Sequence, residues 1–239
     1  GYAKGRNLYP ILPPLDASAN KGELVAVIGR NGIGKSTLLR TITGLQKPVS
    51  GSVLIKKEDT AVFSRIRYAL NIGYISTEIT RVGQMRVYDL VALGRYPYTS
   101  WTGRIDKQTA TLIREAVNRT GLSGFENRYL SELSDGERQR ATISRVLAQD
   151  TDIMIMDEPM AFLDLPGKYA IMSLLKELAA GGKTIIFSTH DFNIAVDHAD
   201  RGAVASRRRR NRREGVGPGG GQRRRGAGPG RPHRTGRRA

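Results

Sequence analysis

Residues Gly29-Arg30-Asn31-Gly32-Ile33-Gly34-Lys35-Ser36-Thr37 follow an apolar run, Leu24-Val25-Ala26-Val27-Ile28, and lead into Leu38-Leu39-Arg40-Thr41-Ile42. The first run reads as a buried parallel strand, and the last continues as a helix that opens at the loop. Between them the glycines let backbone N–H groups turn inward. Those donors, the positive end of the helix dipole and the Lys35 ammonium cradle a polyphosphate, while the Ser36 hydroxyl can ligate its magnesium. The stretch therefore predicts a strand-loop-helix unit that binds a nucleotide triphosphate.

Working outward, Val53-Leu54-Ile55 and Ile72-Gly73-Tyr74-Ile75, punctuated by Gly and Pro, predict a mixed sheet region over residues 1–75. From Val87 the spacing turns helical: Val87, Leu90, Val91 and Leu93-Gly94 are read on one face, and Thr109 to Thr120 carries Leu112, Ile113, Ala116 and Val117. A helical subdomain is expected over about 83–148. Beyond it, Ile153-Met154-Ile155-Met156 and Thr184-Ile185-Ile186-Phe187-Ser188 read as strands, with an amphipathic helix from Tyr169 to Ala180 between them. Strands alternating with helices imply a parallel, doubly wound α/β sheet.

In such a sheet the strand C-termini border the ligand crevice, so Ile28, Met156 and Ser188 deliver their next residues to one edge. Asp157, next after Met156, can hold magnesium through water. Glu158 can polarise an attacking water, a contribution of roughly 10²- to 10⁴-fold for a general base. His190, in Ser188-Thr189-His190-Asp191, is brought near the γ-phosphate. Two adjacent acids alone would read as a solvated strand end, and a lone His as a surface residue. A phosphate loop upstream shifts both towards catalysis.

Composition narrows the classes further. The chain has 239 residues, enough for one sizeable core, and no cysteine, which removes disulfides and thiolate metal sites. No apolar stretch approaches the roughly 18 residues of a membrane span, and no signal-like segment opens the chain. It begins at Gly1 without a Met, as a processed, trimmed or fragmentary chain would. The net charge of +17 is concentrated at one end, because residues 201–239 hold 14 Arg and one acid, leaving only +4 for residues 1–200.

Together these motifs resemble the nucleotide-binding subunits of ABC transporters. The phosphate loop, the signature Leu133-Ser134-Asp135-Gly136-Glu137-Arg138-Gln139, the strand ending in Asp157-Glu158 and the switch His190 occur in the family's order. The resemblance implies a P-loop NTPase of the ABC ATPase type, with a RecA-like parallel-sheet core, an N-terminal antiparallel β subdomain and a helical subdomain. It implies ATP and Mg2+ as ligands, bound at Gly29, Asn31, Gly32, Gly34, Lys35, Ser36 and Thr37. Glu158 and His190 become the catalytic pair, and Ser36 and Asp157 the metal ligands. It implies a head-to-tail homodimer in which Ser134 and Gly136 of one copy cap the ATP of the other, with Asp164, in Ala161-Phe162-Leu163-Asp164, at the dimer contact. Tyr2 matches the aromatic that stacks on adenine, and Tyr9 is the other candidate.

Two departures stand out. Asp135 and Glu137 occupy positions where the family commonly has Gly and Gln, while Ser134 and Gly136, the phosphate-facing positions, are intact. At Ile75-Ser76-Thr77-Glu78, Thr77 or Glu78 stands where a Gln is usual, and either offers an oxygen towards magnesium or water. The segment Leu90-Val91-Ala92-Leu93-Gly94-Arg95-Tyr96-Pro97 resembles importers of iron-siderophore complexes, haem or cobalamin. Tyr96, Tyr98 and Trp101 would line a groove for the membrane subunit or belong to the helical core. The partners so implied are integral membrane permease subunits and, indirectly, a substrate-binding protein, with this chain peripheral on the cytoplasmic face of the cell (inner) membrane.

The family likeness stops near Asp200, so the expected domain is residues 1–200, C-terminally incomplete, followed by an Arg/Gly-rich tail over 201–239 that lacks apolar periodicity and is expected to be disordered. Arg, Gly, Pro and Ala share G/C-rich codons, and translation in a shifted frame produces such a switch. A genuine polycationic arm would instead bind nucleic acid or anionic lipid with steep salt dependence. The rival reading is a nucleic-acid-associated ABC ATPase. Against it stand the single cassette, the importer-like Ala92 to Pro97 segment, and the mere hundred or so residues between Thr37 and Ser134, too few for a long coiled-coil insertion. A chain lacking its C-terminal portion would also bind ATP poorly.

Overall fold

The computed structural model describes residues 2–4, 7–9, 11–77, 84–99 and 105–204. Along the chain run β1 (Tyr2–Lys4), β2 (Asn7–Tyr9), β3 (Leu24–Ile28), α1 (Lys35–Ile42), β4 (Leu54–Ile55), β5 (Glu58–Asp59), α2 (Arg65–Asn71) and β6 (Ile72–Ile75). There follow α3 (Val87–Ala92), α4 (Lys107–Arg119), α5 (Asp135–Gln149), β7 (Ile153–Met156), α6 (Leu165–Ala180), β8 (Thr184–Thr189), α7 (Phe192–His198) and β9 (Arg201–Val204). All described residues belong to one compact unit, which runs from Gly1 to Arg208.

Five strands form the central parallel sheet in the order β6-β7-β8-β3-β9. The apolar runs of β7, β8 and β3 suit strands covered on both faces. On one face α6 supplies Ile171, Met172, Leu175 and Leu178 against Met154, Ile185 and Phe187. On the other, Leu39 of α1 packs with Val27, Ile72 and Ile155. The register pairs Ile75 with Met156, Met156 with Phe187, and Ile28 with Thr189, so these C-terminal ends lie along one edge. The antiparallel structure is small: β1 pairs with β2, and β4 with β5.

Three details go beyond the sequence reading. Within the mixed sheet region expected over residues 1–75, Ile72–Ile75 is the outer parallel strand beside β7, while β1-β2 and β4-β5 are antiparallel. Its neighbour α2 went unread although Ile66, Ala69 and Leu70 have helical spacing; it starts because the Ser64 hydroxyl accepts the Arg67 N–H at 3.2 Å, an N-cap. The ordered sheet also passes Asp200, because β9 pairs with Val25 to Ile28 of β3. The remaining tail lies outside the described residues.

The helical subdomain has its own core of Val87, Leu90, Val91, Ile113, Val117, Leu122 and Leu130. Helix α5 belongs to both cores: Ala141 and Ala148 face the helical one, Ile143 and Val146 the sheet. The preceding segment crosses α5 so closely that a β-carbon on Gly94 would lie 2.1 Å from the Arg145 carbonyl oxygen. Tyr96 is 75% exposed and Tyr98 44%, so neither is core; Trp101 lies outside the described residues. Among the described residues no helix is long and apolar enough to cross a membrane.

Candidate functional site

At the C-terminal end of β3 the chain turns through the glycine loop into α1. Gly34 sits at φ 114, and a β-carbon there would lie 2.7 Å from Ile11 Cγ2 and 3.0 Å from Leu12 Cγ, so both backbone and space demand glycine. Gly34 is also the N-cap of α1, with no side-chain hydrogen bond and no acid in the first turn. That helix end keeps amide donors and dipole available to an anion.

Lys35, the first residue of α1, is buried. Its Nζ donates to the Gly29 carbonyl at 2.6 Å and lies 3.1 Å from Glu158 Oε1, with side-chain exposures of 6% and 13%. The other carboxylate oxygen, Oε2, is 2.7 Å from His190 Nδ1. Strand β8 lies between β3 and β7, so Lys35 and Glu158 meet across the end of an intervening strand.

That strand supplies a residue the motif reading passed over. The buried Ser188 hydroxyl donates to Asp157 Oδ1 at 2.7 Å and accepts the Glu158 N–H at 2.9 Å. Asp157 is 1% exposed and donates its own N–H to the Ile75 carbonyl at 2.9 Å. Glu158 has φ 52, left-handed for a residue with a β-carbon, and such backbone persists only where its surroundings over-determine it. The sole signal for Ser188 was its place in Ser188-Thr189-His190, at the end of a buried strand.

The structure thus brings together Gly29, Lys35, Asp157, Glu158 and His190. Ser36 and Thr37 follow Lys35 on the first turn of α1, and Asn31 and Gly32 lie in the loop. Thr77 lies just past β6, and Glu78 falls outside the described residues. Tyr2 and Tyr9 stand directly opposite each other in the β1-β2 ladder, so backbone register does not separate them. Asp164 caps α6, its Oδ1 accepting the Gly167 N–H at 3.0 Å. Ser134 and Gly136 open α5, and a β-carbon on Gly136 would lie 3.3 Å from the Phe162 carbonyl oxygen.

The N-terminus of α5 is closed by its own side chains. Ser134 Oγ accepts the Glu137 N–H at 3.2 Å and Glu137 Oε2 accepts the Ser134 N–H at 2.7 Å, a reciprocal capping box. The Ser134 N–H holds the Glu137 carboxyl below the ordinary carboxylate value, helped by the Arg128 and Arg140 charges. Asp135 pairs with Arg138, whose guanidinium also donates to the Leu130 carbonyl at 3.1 Å and to that of Leu133.

The chain resembles known proteins. A family model for ABC transporters matches residues 12–161. The chain is 38% identical over 201 residues to the achromobactin transport ATP-binding protein CbrD of Dickeya dadantii, covering 84% of this chain and 73% of that protein. It is 36% identical over 200 residues to the ferric enterobactin transport ATP-binding protein FepC of Escherichia coli, covering 83% and 72%. Among solved structures, the dimeric ATP-binding cassette MJ0796 in a post-hydrolysis state with ADP and Pi superposes with a TM-score of 0.75 at 28% identity, covering 85% of this chain and 90% of that one. The chain belongs to the ABC transporter family and is one of its ATP-hydrolysing cassettes.

Proposed function

We propose that this chain powers an importer of a metal chelate, such as an iron-siderophore complex, haem or cobalamin, by closing and reopening a head-to-tail dimer at the cytoplasmic face of the cell membrane. The contact of Lys35, Glu158 and His190 at the end of β8 carries the catalytic part of this reading. The cargo class rests on CbrD and FepC, whose names specify achromobactin and ferric enterobactin transport, and on the Ala92 to Pro97 segment. These relatives lend the nucleic-acid alternative no support.

A triphosphate seats on the open N-terminus of α1, where loop amides and the helix dipole meet its charge. Lys35 then exchanges the Gly29 carbonyl and Glu158 for phosphate oxygen, which frees Glu158 Oε1 to take a proton from the attacking water. His190 steadies the opposite carboxylate oxygen. Ser134 and Gly136 of a second copy complete the site, and Tyr2 or Tyr9 stacks on the adenine.

Ser36 and Asp157 fit a magnesium ion. Both are hard oxygen donors, and Ser188 and the Ile75 carbonyl hold Asp157 at the strand end. Among the described residues no cluster of three or more acids and histidines forms a metal cage. That suits an ion bound by one carboxylate, water and substrate phosphates. When bound, it neutralises charge on the β- and γ-phosphates. Thr77, just past β6, is a further candidate oxygen donor, while Glu78, the alternative, lies outside the described residues.

A strain lacking this gene should lose uptake of one ⁵⁵Fe-chelate, ⁵⁵Fe-haem or ⁵⁷Co-cobalamin and regain it with the native chain but not with Glu158→Gln. Undiminished uptake of all three classes would refute the cargo assignment.

A further inference from the structure

Gln139, in the second turn of α5, is 3% exposed, and its Nε2 donates to the Pro159 carbonyl at 2.9 Å. Polar side chains are seldom so hidden, and a buried amide is costly unless it is paired. Pro159 directly follows Glu158, the residue with left-handed backbone. Two hydrogen bonds therefore bracket that backbone: Glu158 N–H to Ser188 Oγ on one side, and Gln139 to the Pro159 carbonyl on the other. Gln139 also shares its helix with Ser134 and Gly136, and the close fit of Gly136 to the Phe162 carbonyl is a second contact between the same helix and the same loop.

We propose that Gln139 is a positioning residue whose bond to Pro159 fixes the Glu158 carboxylate to the helix carrying Ser134 and Gly136. One bond then sets two things: the geometry of the base in the chain's own site, and the placement of the cap that the same chain offers to its partner's site. The proposal rests on the reading of Glu158 as general base. Loss of the bond removes the restraint on the Pro159 carbonyl from α5, and a displacement of about 1 Å in a reacting group is enough to cost on the order of a hundredfold in rate.

The test is steady-state ATP hydrolysis by the full chain in two variants. Gln139→Met keeps the length of the side chain without its donor. It should lower kcat by about tenfold or more while KM for ATP stays within about twofold. Gln139→Glu carries a donor only when protonated, and burial raises a carboxyl pKa. Its kcat relative to the native chain should therefore climb as pH falls from about 8 to about 6, whereas the Met variant's ratio stays flat. Native kcat in Gln139→Met would overturn the proposal. So would kcat falling only in proportion to melting temperature, with no recovery of Gln139→Glu at low pH. If Gln139→Met does not fold, the pH ratio of Gln139→Glu decides alone, and a flat ratio overturns the proposal. Failure of the underlying reading looks different: Glu158→Gln would then hydrolyse ATP at the native rate.

Discussion

Helices α1 and α5 both begin at positions that the family resemblance assigns to phosphate, yet their N-termini are built in opposite ways. At α1 the cap is a left-handed glycine with no side-chain hydrogen bond, no acid stands in the first turn, and a buried lysine is the first helical residue. At α5 the Ser134 and Glu137 side chains satisfy each other's backbone amides, and Asp135 and Glu137 place two carboxylates in the first turn. The first end is left open for an anion; the second is already stable as a helix terminus. On the proposed function, this difference assigns most of the phosphate affinity to α1. Helix α5 can still cap a bound nucleotide through the Ser134 hydroxyl proton, because its capping box uses that oxygen only as an acceptor, but its acids offset the dipole that would attract phosphate.

The largest test of this contrast is Lys35→Ala. It removes the cation that meets Gly29 and Glu158, and ATP binding measured by calorimetry should be lost. Retained binding would mean that α1 is not the principal phosphate site. Next, Glu158→Gln should cut hydrolysis by roughly 10²- to 10⁴-fold while ATP still binds, and ATP should shift the variant to a dimer on size exclusion. A monomeric but inactive variant would separate catalysis from the closure that needs α5. Gly34→Ala follows, because the new β-carbon meets Ile11 and the left-handed backbone. A stability loss of about 1–3 kcal/mol in urea unfolding, together with weakened ATP binding, is expected.

The smallest effect belongs to Glu137. The Ser134 N–H lowers its folded pKa below the ordinary 4.5, so its stabilisation is fully present above that value and is lost as pH falls through the lowered one. Melting temperature followed downward from pH 6 should therefore drop more in the native chain than in Glu137→Gln, whose amide keeps a capping oxygen at every pH. Parallel curves would show that ionisation of Glu137 adds nothing to the box at α5.

Strands β3, β7 and β8 were legible because a strand covered on both faces must be apolar throughout, and the glycine loop because close approach to phosphate tolerates few side chains. Ile72–Ile75 was equally legible as a strand, but its partner was not: parallel pairing with β7 joins segments about eighty residues apart and leaves no local mark. Helix α2 escaped notice because it is only seven residues long, and the helical spacing of Ile66, Ala69 and Leu70 is too short a pattern to decide an element. Asp164 was assigned to the dimer contact through resemblance alone, and its capping of α6 follows from the ordinary rule that a short acid before Leu-Pro accepts an N2 or N3 amide. Ser188 and Gln139 went unread for a shared reason. Each acts on backbone distant in sequence, and neither side chain type advertises a partner.

The order of local motifs along the chain was thus sufficient to name the loop, the acids, the switch histidine and the kind of sheet that gathers them. These features depend on spacing, charge and backbone freedom, which are properties of short segments. Tertiary structure alone decided that β8 stands between the loop strand and the acidic strand, and that Ser188 ties Asp157 to Glu158. It likewise decided that α5 belongs to two cores and reaches Pro159 through Gln139. Those facts arise from which surfaces can be buried against each other at once, a condition on the whole chain that no segment of it contains.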